Sequence, residues 1–160
     1  MKTKPNKAML LMSSYPPREC GLATFTNDVV NFVNLVFGDS LPIEVCALQN
    51  HKNQFEYPSE VKYILNVTSI DEYRHLAEKI NNRDDIGMIC IEHEFGLFGG
   101  EYGNYLLSFL LALNKPIATV EKTITAVDSV CVQALQQLLT TFLSRPRYFY
   151  PFITSPLVVA

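Results

Sequence analysis

The chain has 160 residues, of which 48% are hydrophobic and 18% are charged, and its formal net charge is −3 at pH 7. This length and composition suit one globular domain with a substantial core. They exclude the clustered basic surface of a nucleic-acid-binding protein, and no apolar run approaches the roughly 20 residues of a transmembrane helix.

The termini and cysteines predict a cytoplasmic protein. The first apolar run, at 8–14, is too short for a secretory signal and no small-residue cleavage site follows it. The four cysteines show no CxxC spacing and are expected to be reduced packing residues: Cys20, Cys46, Cys90 and Cys131.

Strand and helix patterns alternate along the chain. Short apolar or branched runs predict five strands, at 8–14, 42–48, 61–65, 86–91 and 116–120. Helical spacing of apolar residues predicts helices at 23–38, 69–80, 102–113 and 130–143. The alternation predicts an α/β fold, a doubly wound parallel sheet of the Rossmann-like kind with helices on both faces.

The domain is expected to span residues 1–144, followed by a divergent apolar tail at 145–160. Three prolines interrupt this tail, which has no clean period. Two interpretations stay open: the tail is a strand packed on the domain, or it is an end where the sequence no longer matches the ancestral fold. An exposed segment of this composition would form an adhesive patch.

The first unusual loop, at 15–25, joins a predicted strand to a predicted helix. Free backbone N–H groups and the helix dipole favour an anion at such a position. Gly21 would let the backbone approach a phosphate closely, and Arg18 could add a planar pair of donors. The loop has neither the GxGxxG nor the GK[ST] pattern. An ordinary turn with a helix cap is the alternative.

The second unusual loop, at 92–103, carries four glycines and places His93 between Glu92 and Glu94. A histidine between two carboxylates at a strand end suits proton transfer or the binding of a sugar hydroxyl. The alternative is a solvated turn with a hydrogen-bonded histidine. A metal site is not expected, because HExxH is absent and neighbouring strand residues point to opposite faces.

Two further groups of residues are expected to be structural. His75 falls on the polar face of a predicted helix and should be solvated. The aromatic residues Tyr102, Tyr105 and Phe109 fall on one helical stripe, which is more typical of a core than of a stacking platform.

The two loops together resemble a bacterial branch of the family 4 glycosyltransferases, enzymes of the GT-B kind. The segments are YPPRECGLATFTNDVV and IEHEFGLFGGEYGNYLLSFLLAL. The family pattern is Pro-Pro-Arg-x-Cys-Gly-Ile-Ala-Thr-Phe, followed by His-Glu-Tyr/Phe-Gly-Ile-Phe-Gly-Gly-Glu. The likeness covers about residues 8–125 and fades after Leu139.

The resemblance implies the N-terminal, acceptor-side half of an enzyme that transfers a sugar from a nucleotide sugar to an acceptor with retention. No other cofactor is implied. By position, Arg18 and Gly21 would lie on the side of the donor diphosphate. The acceptor side would be lined by His93, Glu94, Gly99, Gly100 and Glu101.

Two departures from the family pattern bear on activity. The family continues its next strand into Thr-Phe/Leu-His-Thr, whereas this chain has Val-Glu-Lys-Thr at 120–123, so Lys122 stands at the expected histidine position. Lysine is a charged donor and does not act as a neutral imidazole. The donor-binding half is also missing, so the isolated chain is expected to be inactive.

Three functional hypotheses follow. The first is a truncated or pseudogene-like glycosyltransferase half. The second is a non-catalytic ligand-binding module, or one half of a split enzyme whose donor-binding half is a separate partner. The third is a flavodoxin-like or regulator-type domain, which the end of the first strand disfavours because it lacks the acid pair of a phospho-acceptor site.

Overall fold

A computed structural model describes residues 6–50, 52, 55–94 and 96–121 of the chain. Within these residues a parallel sheet has the order β3-β2-β1-β4-β5, with strands β1 (Ala8–Ser13), β2 (Ile43–Gln49), β3 (Val61–Asn66), β4 (Ile86–His93) and β5 (Ile117–Glu121). Its α-helices are α1 (Gly21–Phe37), α2 (Ile70–Asn81) and α3 (Tyr105–Ala112). The predicted α/β, Rossmann-like fold is confirmed.

The two faces of the sheet carry separate cores. Leu10 and Leu11 are adjacent in β1 and both are fully buried, one in each core, because successive strand side chains point to opposite faces. Helix α1 covers one face, whereas α2 and α3 cover the other. Burial on both faces explains why the central strand β1 is a continuous apolar run, whereas the edge strand β3 alternates between intermediate and exposed positions at 61–64.

Predicted boundaries differ from the observed ones by a few residues, and one predicted core position is wrong. Helix α1 begins at Gly21, two residues before the predicted start, because Cys20 caps it. Tyr102 is 83% exposed in a short 3₁₀ turn, Glu101–Gly103, that precedes α3. The positive φ of Gly100 and of Gly103 turns the backbone here, which removes Tyr102 from the expected helical stripe.

Other structural predictions hold where the structure describes them. Phe109 is fully buried, Tyr105 packs against the same core, and His75 is exposed on α2. Cys46 and Cys90 are buried and free, whereas Cys20 is half-buried. The predicted helix at 130–143, Cys131 and the tail at 145–160 lie outside the described residues.

The amino-terminal edge of the sheet is held by Arg83, which follows α2. Its guanidinium donates to Glu44 at 2.8 Å, to both carboxylate oxygens of Asp85 at 2.6 Å and to the Tyr63 hydroxyl at 3.0 Å. Lys115 Nζ donates to the carbonyl oxygen of Arg83 at 2.6 Å. One side chain thus joins β2, β3 and the start of β4.

None of the helices in the described part of the chain combines the length and the apolarity needed to cross a membrane.

Candidate ligand-binding site

Both unusual loops leave the sheet at the point where its connections diverge. The chain passes from β1 to β2 on one side and from β4 to β5 on the other, so the carboxyl ends of β1 and β4 form the switch point of the sheet. Open α/β sheets bind ligands in the crevice at that point. Because β1 and β4 are parallel neighbours, with Met12 beside Ile91, Gly21 and His93 follow the same edge of the sheet.

The N-terminus of α1 keeps backbone donors open. Cys20 Sγ accepts a hydrogen bond from Ala23 N at 3.4 Å. The helix is therefore capped by a thiol, which is a weak hydrogen-bond acceptor. The N–H groups of Gly21 and Leu22 have no hydrogen-bond acceptor among the described residues. A Cβ built on Gly21 would meet no atom within 4 Å, so the Cα of this first helical residue has open space beside it. This arrangement suits an anion.

Arg18 adds a positive charge to the same loop. It has no ion pair among the described residues, and its charge acts on the nearby Tyr57 hydroxyl. Burial raises the pKa of Tyr57, and Arg18 acts in the opposite direction. A half-buried arginine in the loop that leads into an open helix N-terminus adds positive charge that favours a phosphate or carboxylate group.

Tyr15 anchors the base of this loop. Its side chain is fully buried against α1, and its hydroxyl donates to Glu60 at 3.0 Å and lies 3.3 Å from Asn27 Oδ1. Burial, followed by the hydrogen bond to Glu60, raises the pKa of Tyr15 well above its usual range. The loop therefore leaves the sheet from a fixed point, and Arg18 lies one short turn beyond it, with Arg18 N donating to the Tyr15 carbonyl oxygen.

Buried polar atoms without partners concentrate at the carboxyl edge. Of the described residues, four have such side-chain atoms, and three of them lie here: Ser14 Oγ, Gln49 Oε1 and Tyr57 Oη. Ser14 directly follows β1, Gln49 ends β2, and Tyr57 lies in the loop after β2. An unpaired buried polar group costs about 1–3 kcal/mol, so a bound ligand or water that supplies hydrogen bonds here would remove a real penalty.

His93 is presented on the opposite face of β4 from Glu92. Its ring stacks on Phe98 with centroids 5.7 Å apart and an angle of 13° between the planes. Phe98 belongs to the core under α2 and α3, and it fixes the imidazole at the start of the glycine-rich loop. Ser14 and His93 lie two residues beyond the paired Met12 and Ile91, on the same face of neighbouring strands.

The glycine pair in the second loop is required by the packing of the chain itself. A Cβ on Gly99 would lie 1.7 Å from the carbonyl oxygen of Val67, and one on Gly100 would lie 2.0 Å from Asn104 Oδ1. Gly99 N also donates to the Tyr73 hydroxyl at 3.1 Å. Close backbone contact is thus real at this turn, but the partner is the chain, and the acceptor-side role of the pair stays a prediction.

A buried polar cluster joins the two loops, and the sequence analysis missed it. Thr26 of α1 lies with its Oγ1 atom 2.5 Å from Glu92 Oε2, 2.9 Å from Ser13 Oγ and 2.7 Å from the carbonyl oxygen of Leu22. Glu92 is only 1% exposed. A carboxyl group at the end of an otherwise apolar strand was the sequence signal for such a cluster.

Two of the remaining predicted site residues lie in the loop after β4. Glu94 is half-buried after β4, and Glu101 is exposed in the 3₁₀ turn before α3. Lys122 lies outside the described residues, as does Phe95 of the second loop. In the described part of the chain, His, Cys, Asp and Glu side chains form no group of three that could hold a metal ion.

Comparisons of the chain with models of protein families, with curated proteins and with solved structures gave no match. The Rossmann-like fold therefore rests on the observed sheet and helices, and the glycosyltransferase resemblance rests on the two loop sequences.

Proposed function

We propose that this domain is the acceptor-side half of a retaining glycosyltransferase, which moves a sugar from a nucleotide sugar to an acceptor together with a second, donor-binding domain. The observation that carries the proposal is the meeting of two motif-bearing loops at the β1–β4 switch point. Each loop alone has an ordinary structural explanation. Their convergence beside open donors and unpaired polar atoms favours a ligand site.

The chemistry of the site matches the charge that such a transfer develops. When the sugar leaves its nucleotide, negative charge grows on the diphosphate. The N–H groups of Gly21 and Leu22 and the guanidinium of Arg18 would stabilise that charge. The N–H groups need no reorganisation, because α1 holds them in place.

The acceptor would lie beside the second loop. His93 is held by its stacking on Phe98, so its imidazole nitrogens can bind a sugar hydroxyl in a fixed orientation. Glu94 and Glu101 supply carboxylates that accept hydrogen bonds from further hydroxyl groups. The site thus divides into an anion-binding side on the β1 loop and a hydroxyl-binding side on the β4 loop.

One wall of a cleft binds its ligand weakly and does not catalyse transfer alone, because the reacting groups are not enclosed and oriented from both sides. We therefore propose that the purified chain has no transferase activity and binds nucleotide sugars only at millimolar concentrations. We also propose a cytoplasmic location, which fits the free thiols of Cys20, Cys46 and Cys90.

An NMR titration tests the proposal at the required sensitivity. Amide shifts of ¹⁵N-labelled protein are followed while UDP-glucose, GDP-mannose or ADP-glucose is added, with glucose alone as a control for the diphosphate. We expect concentration-dependent shifts at Gly21 and Leu22 and at the loop after β4, and little effect of glucose on Gly21.

The matched variant is Gly21→Ala, since the added methyl group meets no protein atom within 4 Å and adds bulk where the proposal brings the diphosphate close to the backbone. It should fold normally and lose the shifts at Leu22. The proposal is wrong if none of the three nucleotide sugars perturbs these amides, or if the purified chain itself transfers sugar.

A further inference from the structure

Ser14 carries a hydroxyl group that is fully buried and has no hydrogen-bond partner. Its side chain is 0% exposed, and its Oγ atom is unpaired among the described residues. The preceding Ser13 is buried as well, but its hydroxyl pairs with Thr26 at 2.9 Å. A buried hydroxyl normally finds a partner, often a nearby backbone carbonyl oxygen. The hydrogen-bonding capacity of Ser14 is therefore available to a group from outside the chain.

Ser14 lies beside His93 on one face of the sheet. The paired residues Met12 and Ile91 both belong to the core under α2 and α3. Two residues further along each strand the side chains return to that face, which places Ser14 next to His93. Neighbouring strands are about 4.8 Å apart. One oxygen atom between the two side chains can therefore bond to both, since hydrogen bonds span about 2.7–3.2 Å.

His93 offers the second half of such a site. Its ring stacks on Phe98, which is 4% exposed, so the core holds the plane of the imidazole. The ring nitrogens make no hydrogen bond with the described residues, and in either protonation state the ring has at least one N–H donor. Because His93 is half-buried and Ser14 is fully buried, a ligand would meet the imidazole first and the hydroxyl behind it.

We propose that Ser14 is a ligand-binding residue which, together with His93, binds one hydroxyl group of the acceptor. The identification of the ligand as a sugar rests on the proposed function, whereas the site itself rests on the unpaired hydroxyl and its position. A ligand hydroxyl can accept a hydrogen bond from one of the two side chains while it donates to the other.

The same pair gives a physical reason for selectivity. A ligand without the hydroxyl leaves Ser14 buried and unpaired. Sites built to hydrogen-bond a hydroxyl reject an analogue that lacks it far more strongly than an apolar pocket rejects a missing methylene group. Ser14 thus selects acceptors that carry a free hydroxyl at the position it meets.

Sugar titrations by NMR test this site without a nucleotide. Methyl α-glycosides and methyl β-glycosides of glucose, galactose and mannose are added separately to the ¹³C,¹⁵N-labelled chain, and the His93 Cε1–H resonance and the Ser14 amide are followed. We expect at least one glycoside to shift both signals as its concentration rises, with His75, exposed on α2, as the unchanged reference. No response of His93 and Ser14 to any of these glycosides overturns the proposal.

Two alanine variants of adjacent serines separate binding from folding. In Ser14→Ala the dissociation constant of the responding glycoside should rise about fivefold or more, as expected for one lost hydrogen bond, while the midpoint of urea unfolding should rise. Ser13→Ala is the matched control, because the Ser13 hydroxyl pairs with Thr26 of α1. It should bind the glycoside as wild type does and unfold at a lower urea concentration. Equal affinity of wild type and Ser14→Ala overturns the proposal, whatever their stabilities.

The outcome for Ser14 is separate from the outcome for the proposed function. That function fails if nucleotide sugars leave the Gly21 and Leu22 amides unperturbed, whatever the glycosides do. If these two amides respond while Ser14→Ala binds the glycosides as tightly as wild type, only the role of Ser14 is wrong.

Discussion

Substitution of Gly99 by alanine should be one of the most damaging single-methyl changes in the described domain. The new Cβ would lie 1.7 Å from the carbonyl oxygen of Val67, 2.9 Å from its carbonyl carbon and 3.0 Å from Tyr105 Cδ2. Backbone atoms cannot rotate away as a side chain can, so the loop must move by more than an ångström. That movement also breaks the hydrogen bond from Gly99 N to the Tyr73 hydroxyl.

We estimate the loss at about 3 kcal/mol, from overpacking together with the lost hydrogen bond. For a protein of this size that lowers the melting temperature by about 9 °C. Urea denaturation followed by circular dichroism measures the difference in unfolding free energy. Gly21→Ala is the matched control, because its Cβ meets nothing within 4 Å, and it should cost no stability. If the Gly99 variant unfolds within 0.5 kcal/mol of wild type, the close approach to Val67 is wrong.

For three further substitutions, the local chemistry determines whether stability rises or falls. Ser14→Ala removes a buried hydroxyl without a partner and should raise the unfolding free energy by about 1 kcal/mol; a loss on urea denaturation would mean the hydroxyl is satisfied. Cys20→Asp replaces a weak thiol cap and should add about 1 kcal/mol, while weakening the Leu22 amide shift on nucleotide-sugar addition. Hydrogen bonds to Arg83 lower the pKa of Asp85. The ionised Asp85 therefore contributes fully to the free energy of unfolding above about pH 3.9, and this contribution is lost as the pH falls further. In Asp85→Asn the urea concentration at the unfolding midpoint should therefore decrease less below pH 4 than in wild type. An equal decrease in the two proteins would contradict this assignment.

The sheet could be predicted from sequence because its central strand, β1, is an uninterrupted apolar run and the other strands are short apolar or branched segments between loop residues. Burial on both faces leaves no polar positions within β1, so its pattern is clear without any tertiary information. Tyr102 shows the opposite case. Its spacing fits the helical stripe of α3, but the positive φ values around it depend on how Gly100 packs against Tyr105, which no local pattern reveals.

The two loops of the candidate site could be predicted from the sequence, but the contacts between them and their neighbours could not. The alternation of strands and helices predicts that both loops lie at the carboxyl edge of a parallel sheet, whereas the pairing of β1 with β4 depends on the strand order, which the structure supplies. The contact between Thr26 and Glu92 joins residues 66 positions apart, and it depends on the angle at which α1 crosses the sheet. Gly99 had a visible signal, its place in a glycine-rich loop, but the sequence could not separate a ligand from the Val67 carbonyl group as the neighbour.

The carboxyl edge of the sheet keeps several local weaknesses that simple substitutions would remove. A thiol caps α1 where an aspartate would bind the same amide more strongly, and Ser14 buries a hydroxyl that alanine would not. At the opposite edge the guanidinium of Arg83 donates to Glu44, Asp85 and Tyr63, and Glu44 Oε2 is the one buried polar side-chain atom without a partner there among the described residues. Departures from local stability rules are expected at functional sites. Since these departures share one edge with an open helix N-terminus, a ligand bound there, as the proposed function requires, would account for them together.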